Sequence, residues 1–165
     1  MYRALILPIL LYGAETWTLL KADLSKLEVF RMRCLRRILR VSLRDRMQND
    51  SVRMACSEQA TIDEEIQKRR LRWFGHVCRM DEHRFPYRPL WRRRPQQWKI
   101  QRSAPKKTWL KQIEDDLRNR RISVIEAKQM ALNRTTWRTV IREVRQPLAP
   151  TAAYWLRNRP RPGAR

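Results

Sequence analysis

A chain of 165 residues with 42% apolar side chains is long enough to bury a core, as one domain or as two small helical lobes sharing a hinge. It carries 38 Lys and Arg against 16 Asp and Glu, a formal charge of +22, so the folded chain stores self-repulsion that a polyanion would relieve. Nucleic acid is the commonest such partner, because each cation seated on a phosphate releases condensed counterions.

The first element, Met1 to Tyr12, reads as a buried apolar helix with Pro8 inside it and Gly13 as the stop. Ala4 to Tyr12 is too short to span a bilayer and lacks a convincing cleavage pattern, so no membrane partner and no secretion are expected. The second element opens at Ala22 or Asp23 and runs to about Val41. Leu24, Leu27, Phe30, Cys34, Leu35, Ile38 and Leu39 recur at helical spacing. Arg31, Arg33, Arg36, Arg37 and Arg40 lie mostly off that stripe with only Glu28 near them, which favours a phosphate-facing surface over a merely solvated one.

Asn49 or Asp50 is placed to cap a short helix through Cys56. Thr61 and Glu64 form a capping box that opens a longer helix through Val77, with Lys68, Arg69, Arg70 and Arg72 in its middle. Gly75 weakens that helix locally and permits close packing against a neighbour. From Arg84 to Lys107 every charged residue is basic, and Pro86, Pro89, Pro95 and Pro105 interrupt any helix. This stretch reads as an exposed linker. Within it, Trp91 and Trp98 stand among Arg92, Arg93 and Arg94, with Lys106 and Lys107 at its end.

Helix returns at Trp109, Leu110, Ile113 and Leu117, then at a second capping box of Ser123 and Glu126, and finally from Thr135 through Val144 to Pro147. The expected organisation is therefore an all-α irregular bundle with a thumb-like lobe over residues 1–83, a linker over 84–107, a smaller lobe over 108–146 and a disordered basic tail over 147–165.

The chemistry-bearing residues argue for binding. Arg33, Arg36, Arg37, Arg40, Lys68, Arg69, Arg70, Arg72, Arg92, Arg93, Arg94, Lys106 and Lys107 offer charge to phosphates of RNA or DNA with little sequence preference. Trp91 and Trp98 divide evenly between packing and base stacking, whereas Trp73 and Trp109 lie on helical stripes and favour packing. Cys34, Cys56 and Cys78 contain no CxxC pair and give no disulfide framework, which favours a reducing, intracellular setting. His76 adjoins Cys78 closely, but Cys34, Cys56 and His83 supply no second close pair, so no metal and no cofactor are expected.

Asp115 and Asp116 are the one adjacent Asp pair. On a helix their side chains diverge by about 100°, which suits a solvated face and not a two-metal site. Asp63, Glu64 and Glu65 sit in a helix's first turn, where carboxylates favour the macrodipole. Three glycines supply no phosphate-binding loop, and His76 beside Gly75 reads as a packing or hydrogen-bonding residue. No catalytic residue and no small-molecule substrate are assigned.

Six segments in order carry a family resemblance: Tyr12-Gly13-Ala14-Glu15-Thr16-Trp17, Met32 to Leu39, Arg69 to Val77 with Arg79-Met80, Pro105-Lys106-Lys107-Thr108-Trp109, Asp115-Asp116-Leu117, and Asn133-Arg134-Thr135-Thr136-Trp137. The series resembles the region after the polymerase core in non-LTR (LINE-type) retrotransposon endonuclease-reverse transcriptases, over roughly residues 1 to 140. It departs at Gln101-Arg102-Ser103-Ala104, where the family has a Gly-Arg-rich segment. The resemblance implies a thumb and post-thumb fragment that grips template-primer and element RNA, with the palm and endonuclease lying upstream in the parent RNA-directed DNA polymerase. The alternatives are a non-functional product of a degenerate element copy, or a helical protein-interaction module without nucleic-acid activity.

Overall fold

A computed structural model describes residues 2–57, 60–91 and 107–142. Among these the regular elements are all helical: α1 (Leu7–Leu10), α2 (Lys21–Leu39), α3 (Asn49–Ala55), α4 (Ile62–Cys78), α5 (Tyr87–Trp91), α6 (Trp109–Arg118), α7 (Val124–Leu132) and α8 (Arg134–Arg142). The all-α class expected from the apolar periodicity is the class observed.

The N-terminal segment is only partly a core helix. Tyr2–Ile6 is π-helical and α1 follows, the register changing next to Pro8, which has no N–H to donate. Tyr2, Leu7 and Leu11 are buried, but Leu5, Ile9 and Tyr12 face outward, so the apolar run covers the core with one side only. Gly13 ends it at φ +67, the left-handed conformation that glycine adopts without steric cost.

Helix α2 closes without glycine. Arg40 takes φ 55 while its N–H donates to Arg37 O at 3.2 Å and Val41 N–H donates to Arg36 O at 3.0 Å, the paired bonds of a Schellman turn. Arg121 does the same after α6, at φ 57, with Ile122 N–H on Leu117 O. Helix α3 starts at Asn49 with Gln48 at the cap position. The Asn49 side chain accepts instead from Arg36 at 2.8 Å.

Helix α4 organises the molecule. Thr61 and Glu64 form the expected capping box, with Thr61 N–H on Glu64 Oε2 at 3.0 Å and Glu64 N–H on Thr61 Oγ1 at 3.3 Å. A long-range partner completes the cap: Glu28 of α2 accepts from Ile62 N–H at 2.9 Å and from Arg53 at 2.8 Å. Two apolar clusters then share α4. Ile62 and Ile66 pack with Tyr2, Leu7, Leu11, Met32, Leu35 and Val52, whereas Leu71, Phe74 and Cys78 pack with Ile113, Leu117, Ala127, Ala131, Trp137, Val140 and Ile141. At 3.6 residues per turn the two sets project about 130° apart, so one helix is a wall between two cores.

The linker reading needs correction at its start. Tyr87–Trp91 is a short helix despite Pro89, and Trp91 is half-buried against the second cluster, 6.2 Å from Phe74 between ring centroids. Lys128 of α7 lies 4.3 Å from the Trp91 ring centroid. A large ring beside an open apolar cluster gains more from burial than the segment's basic character costs. Residues 92–106 and the tail from 147 onward lie outside the described residues, as does the expected end of α8 at Pro147.

Candidate nucleic-acid interface

The second cluster brings two rows of cations together. Helix α8 buries Trp137, Val140 and Ile141, which leaves Arg134, Arg138 and Arg142, four residues apart, on its open side. Helix α4 presents Lys68, Arg72 and His76 at the same spacing, followed by Arg79. Residues four apart lie on one face of a helix, so each set is a stripe.

What sets the stripes side by side is Gly75. The Trp137 indole lies directly over it and donates from Nε1 to Leu71 O at 2.8 Å. A Cβ on residue 75 would fall 2.2 Å from Nε1. The resulting groove encloses about 690 Å³, is lined by both stripes and by Trp137 and Ile141, and has no carboxylate in its lining.

Its electrostatics are one-signed. Burial and then the neighbouring charges of Arg134 and Arg138 lower the pKa of Arg79 from the usual guanidinium value. Arg79 is held in place by donating to Ala131 O of α7. An anion entering the groove would offset that repulsion. His76 is exposed, its ring 5.3 Å from the Trp73 ring and tilted by 43°.

The residues expected to meet phosphates separate into five groups, the last of which is engaged inside the protein. Lys68 and Arg72 reach the groove. Arg33 and Arg37 on α2 and Arg40 just beyond it are exposed, along a second depression of about 1090 Å³ that also contains Val29 and Phe30. Lys107 is half-buried ahead of α6. Arg92, Arg93, Arg94, Trp98 and Lys106 lie outside the described residues.

Four arginines and one tryptophan have other work. Arg70 is 1% exposed, and its guanidinium grips Asp116 with both ends, Nε to Oδ2 at 2.7 Å and Nη2 to Oδ1 at 2.9 Å. It therefore leaves the phosphate-binding set. Arg69 donates to Leu11 O at 2.7 Å and ties the N-terminal segment to α4. Arg36 donates to Met47 O and to Asn49, bracing the start of α3. Arg31 is fully buried, its guanidinium 5.7 Å from the Tyr2 ring centroid. Trp91 packs, as described above.

The Arg70 pair also corrects the solvated-face reading of Asp115 and Asp116. Asp116 is 2% exposed with both oxygens occupied, while Asp115 faces Arg118 at 3.5 Å on the surface. Cys78 is buried, its thiol pushed up to about 11 by burial, and Cys34 and Cys56 are half-buried. Among the described residues no three His, Cys, Asp or Glu side chains converge as a metal site would require. None of the described helices is long and apolar enough to cross a membrane.

The residues that sequence reasoning passed over are Arg79, Arg134, Arg138 and Arg142. For the last three the signal was present: an every-fourth-residue row of arginines alongside Trp137, Val140 and Ile141. What the row faces was not.

Fold and groove together define an all-helical cationic protein whose central helix serves two cores and one side of a positively charged trough. The chain is similar to an uncharacterized transposon-derived protein of Caenorhabditis elegans, 25% identical over 149 residues that cover 86% of this chain and 53% of that protein. It thus spans about half the length of that relative. No family model matches the chain, and no solved structure matches it.

Proposed function

We propose that this chain is a nucleic-acid-binding, non-catalytic helical part of a retroelement reverse transcriptase, the thumb and post-thumb region that grips template-primer and element RNA. The observation that carries the binding is the α4–α8 groove, where two cationic stripes meet with no carboxylate in the lining. The ordered motifs from Tyr12-Gly13-Ala14-Glu15 to Trp137, and the likeness to a transposon-derived protein, support the retroelement origin. The non-catalytic half rests on Asp116, which is committed to Arg70 and turned away from Asp115.

Fluorescence anisotropy with labelled RNA and DNA, titrated from about 50 to 200 mM salt, tests the binding. Each phosphate contact is expected to contribute roughly 0.7 to 0.9 to the slope of log affinity against log salt. A flat response overturns the electrostatic reading. Primer extension by the purified chain would overturn the non-catalytic half.

A second reading, a helical protein-interaction module, is favoured by the exposed Val29, Phe30, Ile38 and Leu43 on and just beyond α2. Under that reading the chain shows no salt-dependent nucleic-acid binding, and a charged residue in place of Phe30 abolishes its association with a protein partner.

A further inference from the structure

The shape of the groove says more than its charge. Cations four residues apart on a helix stand about 6 Å apart along its axis, and the Arg134–Arg142 row runs about 12 Å. Because Gly75 lets Trp137 seat against α4, both rows flank one concave trough, and cations from two sides converge on whatever lies in it. A duplex carries its phosphates on a convex surface and meets only the rims. A single strand entering the trough would meet both rows along one backbone.

An aromatic ring stands at the same place. His76 belongs to the groove lining and is exposed, with the Trp73 ring in tilted contact beside it. A cationic channel with an aromatic ring at its edge is the chemistry that tracks an unpaired strand, since every base has a π face.

We propose that the α4–α8 groove is a binding site for single-stranded RNA or DNA, in which Lys68, Arg72, Arg134 and Arg138 hold the phosphodiester backbone and His76 takes a stacked base. The inference rests on the nucleic-acid reading above and narrows it to one class of strand. The lining cations are donors only and are directed at phosphate, so little sequence preference is expected.

The test uses the full chain and three labelled probes in fluorescence anisotropy: a short single strand, the duplex of the same sequence, and an abasic phosphodiester strand of equal length. The Arg134→Ala/Arg138→Ala variant is expected to lose about tenfold or more in single-strand affinity, with its salt slope reduced by about 1.4 for two lost contacts. Lys21→Ala/Arg44→Ala removes the same charge outside the groove and is expected to change affinity by less than about twofold. His76→Ala is expected to weaken the base-bearing strand and leave the abasic strand unaffected. Far-UV circular dichroism and thermal melting establish that each variant folds.

The inference is overturned if the duplex binds as tightly as the single strand, or if the groove variant loses no more than the control. In either case the broader nucleic-acid reading survives. If none of the three probes binds, both fail together.

Discussion

The indole of Trp137 occupies the space that a side chain on residue 75 would fill. Its Nε1 donates at 2.8 Å to the carbonyl of Leu71, one turn before Gly75 on the same helix. That carbonyl is reachable because Gly75 leaves it uncovered. The contact fixes how closely α8 lies on α4, and with it the separation of the two cationic rows.

Replacing Gly75 by Ala is therefore expected to destabilise the fold, although alanine is the better helix former. The new methyl overpacks a buried ring at a cost of about 1–3 kcal/mol. Displacing the indole leaves a buried donor unpaired for about 1–3 more, against a helix-propensity gain of about 1. The net loss expected in urea unfolding is about 1–5 kcal/mol. Trp137→Phe, whose smaller ring has no donor to strand, should make the Gly75→Ala cost smaller in the double variant than alone. Equal costs in both backgrounds would show that the two residues do not interact.

The Arg70–Asp116 pair makes a separate prediction, because both partners are almost wholly out of water. Arg70→Met leaves Asp116 as an uncompensated buried charge and is expected to cost about 3–5 kcal/mol. Arg70→Met/Asp116→Leu removes both charges and should recover most of that loss. Chemical denaturation of Arg70→Met and of the double variant checks this. If the double variant is no more stable than Arg70→Met, the pair is not what makes Arg70 necessary.

Asp63, in the first turn of α4, gives the molecule a pH dependence of known sign. Burial raises its pKa above the ordinary 3.8; Arg70 and Lys107 oppose the rise, while Asp116 and Glu64 add to it. The folded state thus holds this proton more tightly than the unfolded chain does. Below the ordinary value both states are protonated and nothing is lost. As pH climbs from there through the raised folded value, stability falls, and it stays lower above that window. Asp63→Asn removes this dependence, so its stability relative to the parent should increase between about pH 3 and neutrality and then level off. Thermal melts of both proteins across that range measure the difference. A difference that stays constant or shrinks would contradict the raised value.

Local rules determined much of this fold. The stripe from Leu24 to Leu39 and the capping boxes at Thr61/Glu64 and Ser123/Glu126 were legible because helices and their caps depend on residues within one or two turns. Gly13 and Gly75 were legible as well, one as a left-handed stop and the other as a place for close approach. The charge excess pointed to a polyanion, and that reading still rests on electrostatics, now attached to a groove.

Only the tertiary structure decided which cations are available. Lys68, Arg69, Arg70 and Arg72 look alike in the chain, yet Lys68 and Arg72 line a groove, Arg69 bonds a carbonyl 58 residues away and Arg70 bonds a carboxylate 46 residues away. Arg134, Arg138 and Arg142 gained their place the same way, from the seating of Trp137 on Gly75. Helical periodicity places a side chain on a face. What that face meets depends on elements far off in the chain, because a buried charge is stable only where a distant partner satisfies it.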